Sequence, residues 1–259
     1  MSDEIRFDDG AAYERFMGVW SKLAGQTFVD WLALPPGLRW LDVGCGNGAF
    51  TEMLIQQCKA ASVVGIDPSA EQLAFARTRS SSSVAQFQQG NAMALEFPND
   101  SFDAAVMPLV IFFVPKPSTG VAEMVRVVRA GGTVCAYAWD MPGGHFPYEA
   151  LWSEMRAMGI AVPLPPSPDA SNIDVMRDLW TAAGLSKVET RQITVQRTFA
   201  DFDDYWTTVR GGPSVSRGIN TMSSADLAAL QKRMRERLPA DNAGRITIAA
   251  RANAVKGIV

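Results

Sequence analysis

The sequence predicts an α/β protein with a mostly parallel, doubly wound sheet that has helices on both faces. Between residues 40 and 139, short apolar segments typical of buried strands alternate with longer segments whose apolar residues recur at helical spacing. The first strand runs directly into a glycine turn at residues 44–48, and the second ends on Asp67. Both features are typical of a doubly wound sheet. With 259 residues and 47% hydrophobic content, the chain is expected to form one domain, residues 1–259.

The N-terminal segment, residues 1–36, is predicted to be a helical cap. Apolar residues recur at spacings of three and four between residues 11 and 32, which makes one face of a helix continuously apolar. The sequence Pro35-Pro36-Gly37 ends this helix. The apolar face indicates that the helix packs on the rest of the protein before the sheet begins.

The predicted core, residues 37–140, opens with Trp40-Leu41-Asp42-Val43-Gly44-Cys45-Gly46-Asn47-Gly48, followed by a helix from about residue 49. Glycines at alternate positions leave the turn with little side-chain bulk, so backbone N–H groups can approach a ligand closely. The following helix points its positive end at the same place. We therefore expect a carboxylated, phosphorylated or nucleoside-like ligand on this turn.

The second predicted strand, residues 62–66, ends on Asp67. A carboxylate at a strand end, about 20 residues beyond a glycine loop, is placed to accept hydrogen bonds from both hydroxyls of a ribose. The ligand is therefore expected to carry a ribose with a free 2′-OH. After Pro68, Ser69 and Gln72 form a capping box, which predicts that a helix begins beside the ribose site.

Two kinds of ligand fit this description. Gly44, Gly46 and Ala49 satisfy the G-x-G-x-x-A fingerprint of dinucleotide-binding proteins, so a nicotinamide-dependent oxidoreductase is one alternative. Asp42 favours the second kind, a ligand with a free amine. A buried carboxylate beside the turn would repel a pyrophosphate but would accept a hydrogen bond from an amine. With Gly48 included, the stretch DVGCGNG resembles motif I of the class I S-adenosylmethionine-dependent methyltransferases. The motif style is similar to that of the ubiquinone and menaquinone biosynthesis enzymes.

This resemblance implies S-adenosyl-L-methionine as the cofactor and S-adenosyl-L-homocysteine as the product. In that family an acid usually stands where this chain has Asn91 and accepts from the adenine amino group, while the next backbone N–H, that of Ala92, meets a ring nitrogen. The amide oxygen of Asn91 can still accept. The departure at Asn91 is the main argument for a further alternative, a non-catalytic protein that keeps the pocket as a scaffold.

The family often folds its N-terminal segment over the cofactor, so Tyr13 and Trp20 either close the pocket or fill the core. The cofactor-binding residues implied by the resemblance are Tyr13, Trp20, Asp42, Gly44, Cys45, Gly46, Asp67, Pro68, Asn91, Ala92 and Met107.

Three more strands and a helix complete the predicted core. Residues 84–88 form the third strand, 104–107 the fourth and 133–139 the fifth, with a helix at 118–129 between the last two. Ligands of doubly wound folds bind at the carboxyl ends of the strands. We therefore expect residues 107–110 to line the space around the transferred methyl group.

The second half of the chain departs from strict alternation of strands and helices. Two strands, at residues 186–198 and 244–256, match the antiparallel edge pair of the resembled family and bring the sheet to seven strands. Helical insertions at residues 141–185 and 199–243 are expected to cover the acceptor site. The resemblance is thin in these insertions, where an acceptor would be recognised.

The sulfonium of S-adenosylmethionine already activates its methyl carbon, so the protein need only hold a nucleophile in line with the C–S bond and exclude water. If the acceptor must lose a proton, His145 is the candidate general base, although an exposed loop histidine is the alternative. The aromatic content favours a small, partly apolar acceptor, with Trp139, Phe112 and Tyr205 as candidate contacts, although core packing explains such residues equally well.

Composition argues against several other classes of function. The net charge is −3 and the basic residues are scattered, so nucleic acid is not an expected partner. A single histidine and no carboxylate cluster at ligand spacing predict no metal. The three cysteines show no C-x-x-C spacing, and no secretory signal is apparent. No apolar run approaches the ~20 residues of a membrane helix. These features predict a cytoplasmic protein without membrane insertion. The basic run at 232–237 is expected to be a solvated helix face, and the oligomeric state is left open.

Overall fold

The computed structural model describes residues 14–79 and 84–259, so Tyr13 lies outside the described residues. The strands are β1 (Arg39–Val43), β2 (Ser62–Asp67), β3 (Ala85–Gln89), β4 (Phe102–Pro108), β5 (Val128–Trp139), β6 (Ser186–Phe199) and β7 (Ile246–Ile258). The described α-helices are α1 (Val19–Leu32), α2 (Ala49–Gln57), α3 (Ala70–Ala76), α4 (Pro117–Val127), α5 (Glu149–Ala157), α6 (Ile173–Ala182), α7 (Phe202–Arg210), α8 (Pro213–Asn220) and α9 (Ser224–Arg237). A π-helical turn, Glu14–Gly18, leads into α1, and short 3-10 turns lie at Ile111–Phe113 and Pro168–Ser171.

The seven strands form one sheet in the order β3-β2-β1-β4-β5-β7-β6. Strands β1 to β5 run parallel, and β7 runs antiparallel between β5 and β6. The predicted mostly parallel sheet with an antiparallel pair at one edge is therefore confirmed. The strand order changes direction at β1, which lies between β2 and β4, and ligands of open α/β sheets bind at such a switch point. We call the edge at which β1 to β5 end the carboxyl edge.

Helices cover both faces of the sheet. The ring of Tyr137 on β5 lies 4.6 Å from that of Phe28 on α1. Met107 on β4, whose partner in register is Ala136, instead faces Gly120 of α4. Because neighbouring strand residues point to opposite faces, α1 and α4 lie on opposite sides of the sheet.

The fifth strand begins earlier than predicted, at Val128, because its first residues pair with distant parts of the chain. Val128 is the register partner of Phe102 on β4. The N–H of Gly131 donates to the carbonyl of Val259 over 2.9 Å. These pairings end α4 at Val127, whereas local spacing predicted a helix to residue 129.

The helices of the second half are joined by ion pairs. Arg233 and Arg237 of α9 pair with Glu154 of α5 at 3.5 and 2.6 Å, and Arg235 pairs with Asp203 of α7 at 2.7 Å. These arginines are exposed, as predicted, and they also connect α9 to two neighbouring helices. None of the helices within residues 14–79 and 84–259 is both long and apolar enough to cross a membrane.

Candidate functional site

Hydrogen bonds connect the ends of β1, β2 and β3 into one rim at the carboxyl edge. The N–H groups of Gly44 and Cys45 both donate to the carbonyl of Ile66, at 2.8 and 2.9 Å. The N–H of Gly90, which follows β3, donates to the carbonyl of Asp67 over 3.2 Å. The structure therefore brings together three predicted features: the glycine turn, Asp67 and the segment that begins at residue 90.

The glycine turn is closely packed at one end and open in its middle. Gly44 has a φ of +76°, and a Cβ there would lie 2.5 Å from a methyl carbon of Val110. Gly46 has a φ of +51°, and the nearest atom to a Cβ there would be Gln72 Oε1 at 4.0 Å. Both positions require glycine, but only the space beside Gly46 leaves room for a ligand against the main chain.

Asp67 holds the turn in place through both of its carboxylate oxygens. Oδ2 accepts from the N–H of Gly46 and Oδ1 from the N–H of Ser69, each over 2.9 Å. Burial raises the pKa of Asp67, and these two hydrogen bonds act in the opposite direction. A carboxylate oxygen has two acceptor sites, so Asp67 can accept from ligand hydroxyls while it holds the turn.

The sequence pattern predicts only a ligand-binding role for Asp67, and the structure adds its role in holding the turn. The Asp-Pro-Ser pattern carried that signal, since an Asp side chain often accepts from the N–H two residues later.

Asp42 is a fully buried carboxyl group with one oxygen that has no partner. Oδ2 accepts from the hydroxyl of Thr51 on α2 over 2.6 Å. Among the described residues, Oδ1 has no hydrogen-bond partner. Burial raises the pKa of Asp42 to about 7, the Thr51 hydrogen bond lowers it, and the charge of Asp67 raises it further. An unpaired buried carboxylate oxygen is costly, so the site fits a ligand group that donates a hydrogen bond.

Asn91 and Ala92 follow β3 on the exposed side of the rim. The side-chain oxygen of Asn91 accepts from the N–H of Met93 over 2.9 Å, a contact that the sequence pattern does not predict. Ala92 is half-buried, and Pro68 is exposed beside Asp67. The amide nitrogen of Asn91 has no partner among the described residues.

Cys45 and Trp20 are buried beside the rim. Burial raises the pKa of the Cys45 thiol well above its usual range, so Cys45 stays protonated and is no nucleophile. Trp20 is fully buried, and its indole N–H donates to the hydroxyl of Tyr148 over 3.1 Å. Its ring lies 6.4 Å from that of Trp139, edge to face. These contacts favour the core-packing alternative for Trp20.

The side chain of Met107 is packed against α4. It is fully buried, and its terminal methyl lies 3.6 Å from where a Cβ of Gly120 would be, on the α4 side of the sheet. The half-buried residues next in the chain are closer to the rim. Leu109 has a φ of +60° and donates its N–H to the carbonyl of Tyr137, and Val110 packs against the glycine turn.

The candidate acceptor contacts are all buried. Phe112 lies in the turn after β4, Trp139 ends β5, and Tyr205 on α7 packs edge to face on Phe199 at 5.3 Å. Within the described part of the chain, three polar atoms of this region have no hydrogen-bond partner: Trp139 Nε1, Trp152 Nε1 and the hydroxyl oxygen of Tyr205. Such groups are rarely left unpaired, so they are candidates to meet a polar atom of a ligand.

His145 lies on a turn that is fixed by its backbone. Its N–H donates to the carbonyl of Asp140 and its carbonyl accepts from the N–H of Arg251, at 3.0 and 3.1 Å. The Asp140 carboxylate pairs with the Arg251 guanidinium at 2.6 Å and accepts from the N–H of Gly143. The imidazole itself is exposed and makes no hydrogen bond with the described residues.

Within the ranges that the structure describes, no group of three or more His, Cys, Asp and Glu side chains is arranged to hold a metal ion. The polar groups of the rim are instead two carboxylates, which accept hydrogen bonds, and a series of backbone N–H groups, which donate them. This set suits hydroxyl, amine and carboxylate groups of an organic ligand.

Comparison with known proteins adds a family to this geometry. A family model described as "Methyltransferase domain" matches residues 41–136. An uncharacterized protein of Mycobacterium tuberculosis is 30% identical over 215 residues, which cover 79% of this chain and 75% of that protein. A 2-phytyl-1,4-naphtoquinone methyltransferase of Synechococcus elongatus is 31% identical over 159 residues, which cover 60% of this chain and 64% of that protein.

A similar fold occurs in a crystal structure of the YcgJ protein from Bacillus subtilis. It superposes with a TM-score of 0.60 and 18% sequence identity, over 91% of this chain and 97% of that one. At this level of identity the likeness extends to the fold alone.

Proposed function

Because the chain belongs to the class I S-adenosylmethionine-dependent methyltransferases, we propose that it methylates a small, partly apolar acceptor with an oxygen-bearing ring. The chain is thus an enzyme with S-adenosylmethionine as its cofactor, and neither the nicotinamide-dependent nor the scaffold alternative is retained. When bound, S-adenosylmethionine supplies a methyl carbon that its sulfonium has already activated for in-line displacement. The protein's task is then to bind, to orient and to exclude water.

The observation that carries the cofactor assignment is the unpartnered Oδ1 of Asp42. The amino-acid end of S-adenosylmethionine bears an ammonium group, and a buried carboxylate oxygen without a partner is a suitable acceptor for it. Asp67 keeps acceptor capacity for the ribose hydroxyls, and the space beside Gly46 is open. We assign Asp42, Asp67 and the turn 44–48 to the cofactor on these grounds.

The acceptor class is inferred from the aromatic cluster of the second half. Phe146 packs on Trp152 at 4.5 Å and on Tyr148 at 6.0 Å. The unpartnered indole N–H groups of Trp139 and Trp152 are donors in this apolar setting. A ring with hydroxyl or carbonyl oxygens would pack on the aromatic side chains and accept from these donors.

The name of the Synechococcus elongatus relative points in the same direction. It specifies a naphthoquinone with a phytyl chain, which is a ring with two oxygens and a long apolar substituent. We include in the proposal that residues 141–185 and 199–243 cover this acceptor. Ion pairs between α5, α7 and α9 would hold that cover over the carboxyl edge.

His145 is assigned the role of proton acceptor within this proposal. It lies in the turn that follows β5, and its backbone is hydrogen-bonded to Asp140 and Arg251 while its imidazole is exposed. A fixed backbone with an exposed imidazole suits a base that receives a proton and passes it to water.

Transfer of a labelled methyl group tests the proposal. The purified enzyme is incubated with methyl-labelled S-adenosylmethionine and a panel of naphthoquinols, benzoquinols, aromatic amines and matched hydrocarbons without oxygen. We expect label in a ring acceptor that bears oxygen and none in its hydrocarbon counterpart. Label in amines or in hydrocarbons alone would contradict the acceptor class. Failure of S-adenosylhomocysteine to bind, by calorimetry, would contradict the cofactor site.

A further inference from the structure

The orientation of the Asn91 amide is fixed by a neighbouring backbone donor. Its Oδ1 lies 2.9 Å from the N–H of Met93. If the amide were turned over, its NH2 group would face that N–H, and two donors would oppose each other. The segment is held further by the N–H of Ala94, which donates to the carbonyl of Asn91 over 3.0 Å. The Nδ2 group therefore points away from Met93, and Asn91 is an exposed residue.

The position of Asn91 on the rim places it next to the base of a bound nucleoside. Asp67, assigned to the ribose, ends β2, and its register partner on β3 is Gln89. Because the amino-acid end of the ligand is assigned to Asp42 on β1, the ligand runs from β1 across β2 towards β3. The next group beyond the ribose is the base, and the next backbone segment on that side begins at Gly90.

A carboxylate in the place of Asn91 could accept from Met93 with one oxygen and from a purine amino group with the other. The amide keeps the first contact but turns the second acceptor into a donor. We propose, on the basis of the proposed function, that Asn91 presents its NH2 group to the C6 substituent of the purine. It thereby weakens selection for a 6-amino group and favours a 6-oxo group at that atom.

Binding of two ligands that differ at this atom tests the inference. S-adenosylhomocysteine carries a 6-amino group, and S-inosylhomocysteine carries a 6-oxo group. Dissociation constants of both are measured by titration calorimetry for the wild type and for Asn91→Asp. We expect the preference for the adenosyl ligand to be about tenfold larger in Asn91→Asp, because the carboxylate accepts from the 6-amino group, whereas the Asn91 NH2 group opposes it as a second donor. The changed protonation of purine N1 affects both proteins equally and cancels in this ratio.

Two further variants control for the added charge and for the loss of the amide group. Asn242→Asp adds the same charge in an exposed turn between α9 and β7 and should leave the ratio at its wild-type value. Asn91→Ser can still accept from Met93 with its short side chain, and its ratio should fall between those of the wild type and Asn91→Asp. A wild-type ratio in both residue 91 variants would overturn the inference. Absence of S-adenosylhomocysteine binding by the wild type would overturn the proposed function instead.

Discussion

Replacement of Asp42 by Asn should change how the stability of the protein depends on pH. In the folded protein Asp42 is fully buried, its Oδ2 accepts from Thr51, and its Oδ1 has no partner among the described residues. Asn is nearly the same size and can accept from Thr51 through its own oxygen, but it carries no titrating proton. The variant therefore removes the charge and keeps the packing.

The expected magnitude follows from the pKa of this carboxyl group. Burial raises the pKa of Asp42 from 3.8 to about 7 on folding. The folded state then binds more protons than the unfolded state between these values, so this group lowers the free energy of unfolding as pH rises from about 4 to about 7. A pKa difference of about 3 lowers the free energy of unfolding by about 4 kcal/mol once the pH has passed both values.

Urea denaturation of the cofactor-free protein at several values between pH 4 and pH 8 checks this prediction. The difference in unfolding free energy, wild type minus Asp42→Asn, should fall between pH 4 and pH 7 and level off above pH 7. A constant cost of burying the new amide shifts the whole difference and leaves its slope unchanged. Parallel pH profiles for the two proteins would refute the raised pKa and, with it, the buried unpaired oxygen.

Three further variants test other parts of the site. Asp67→Ala should weaken S-adenosylhomocysteine binding by about 1–3 kcal/mol in calorimetry, since ligand hydroxyls lose a charged acceptor; wild-type affinity would contradict the placement of the ribose. Gly44→Ala should lower the free energy of unfolding by about 1–3 kcal/mol, because residue 44 has a positive φ and the new methyl group would meet Val110. Adding Val110→Ala to this variant should restore only the part of the stability lost through that contact. His145→Gln should reduce turnover and leave S-adenosylhomocysteine affinity unchanged, whereas unchanged turnover would remove His145 from the mechanism.

The elements predicted well were those with a strong local signal. The glycine turn and the acid at the end of β2 are separated by about 20 residues, because β1 and β2 are neighbouring strands joined by a single helix. Gly44 and Cys45 indeed donate to Ile66, so the turn and β2 meet where the pattern placed them. Local spacing was also sufficient for the helix that begins after Ser69, whose side chain accepts from the N–H of Gln72.

The features that the sequence does not predict depend on contacts between distant residues. All of the residues from Ala104 to Pro108 are buried on one face or the other, so their pattern did not reveal that Met107 faces α4. The pairing of Gly131 with Val259 could not be read from either segment alone. The partners of Arg235 and Arg237 depend on which helices pack side by side. Local periodicity contains no information of this kind.

The most direct test of the proposed cofactor site is a crystal structure of the protein with S-adenosylhomocysteine. We expect the ribose hydroxyls on the Asp67 carboxylate, the amino group towards Asp42 Oδ1 and the purine beside Asn91. A ligand bound elsewhere, or a dinucleotide whose pyrophosphate occupies the turn 44–48, would contradict this placement.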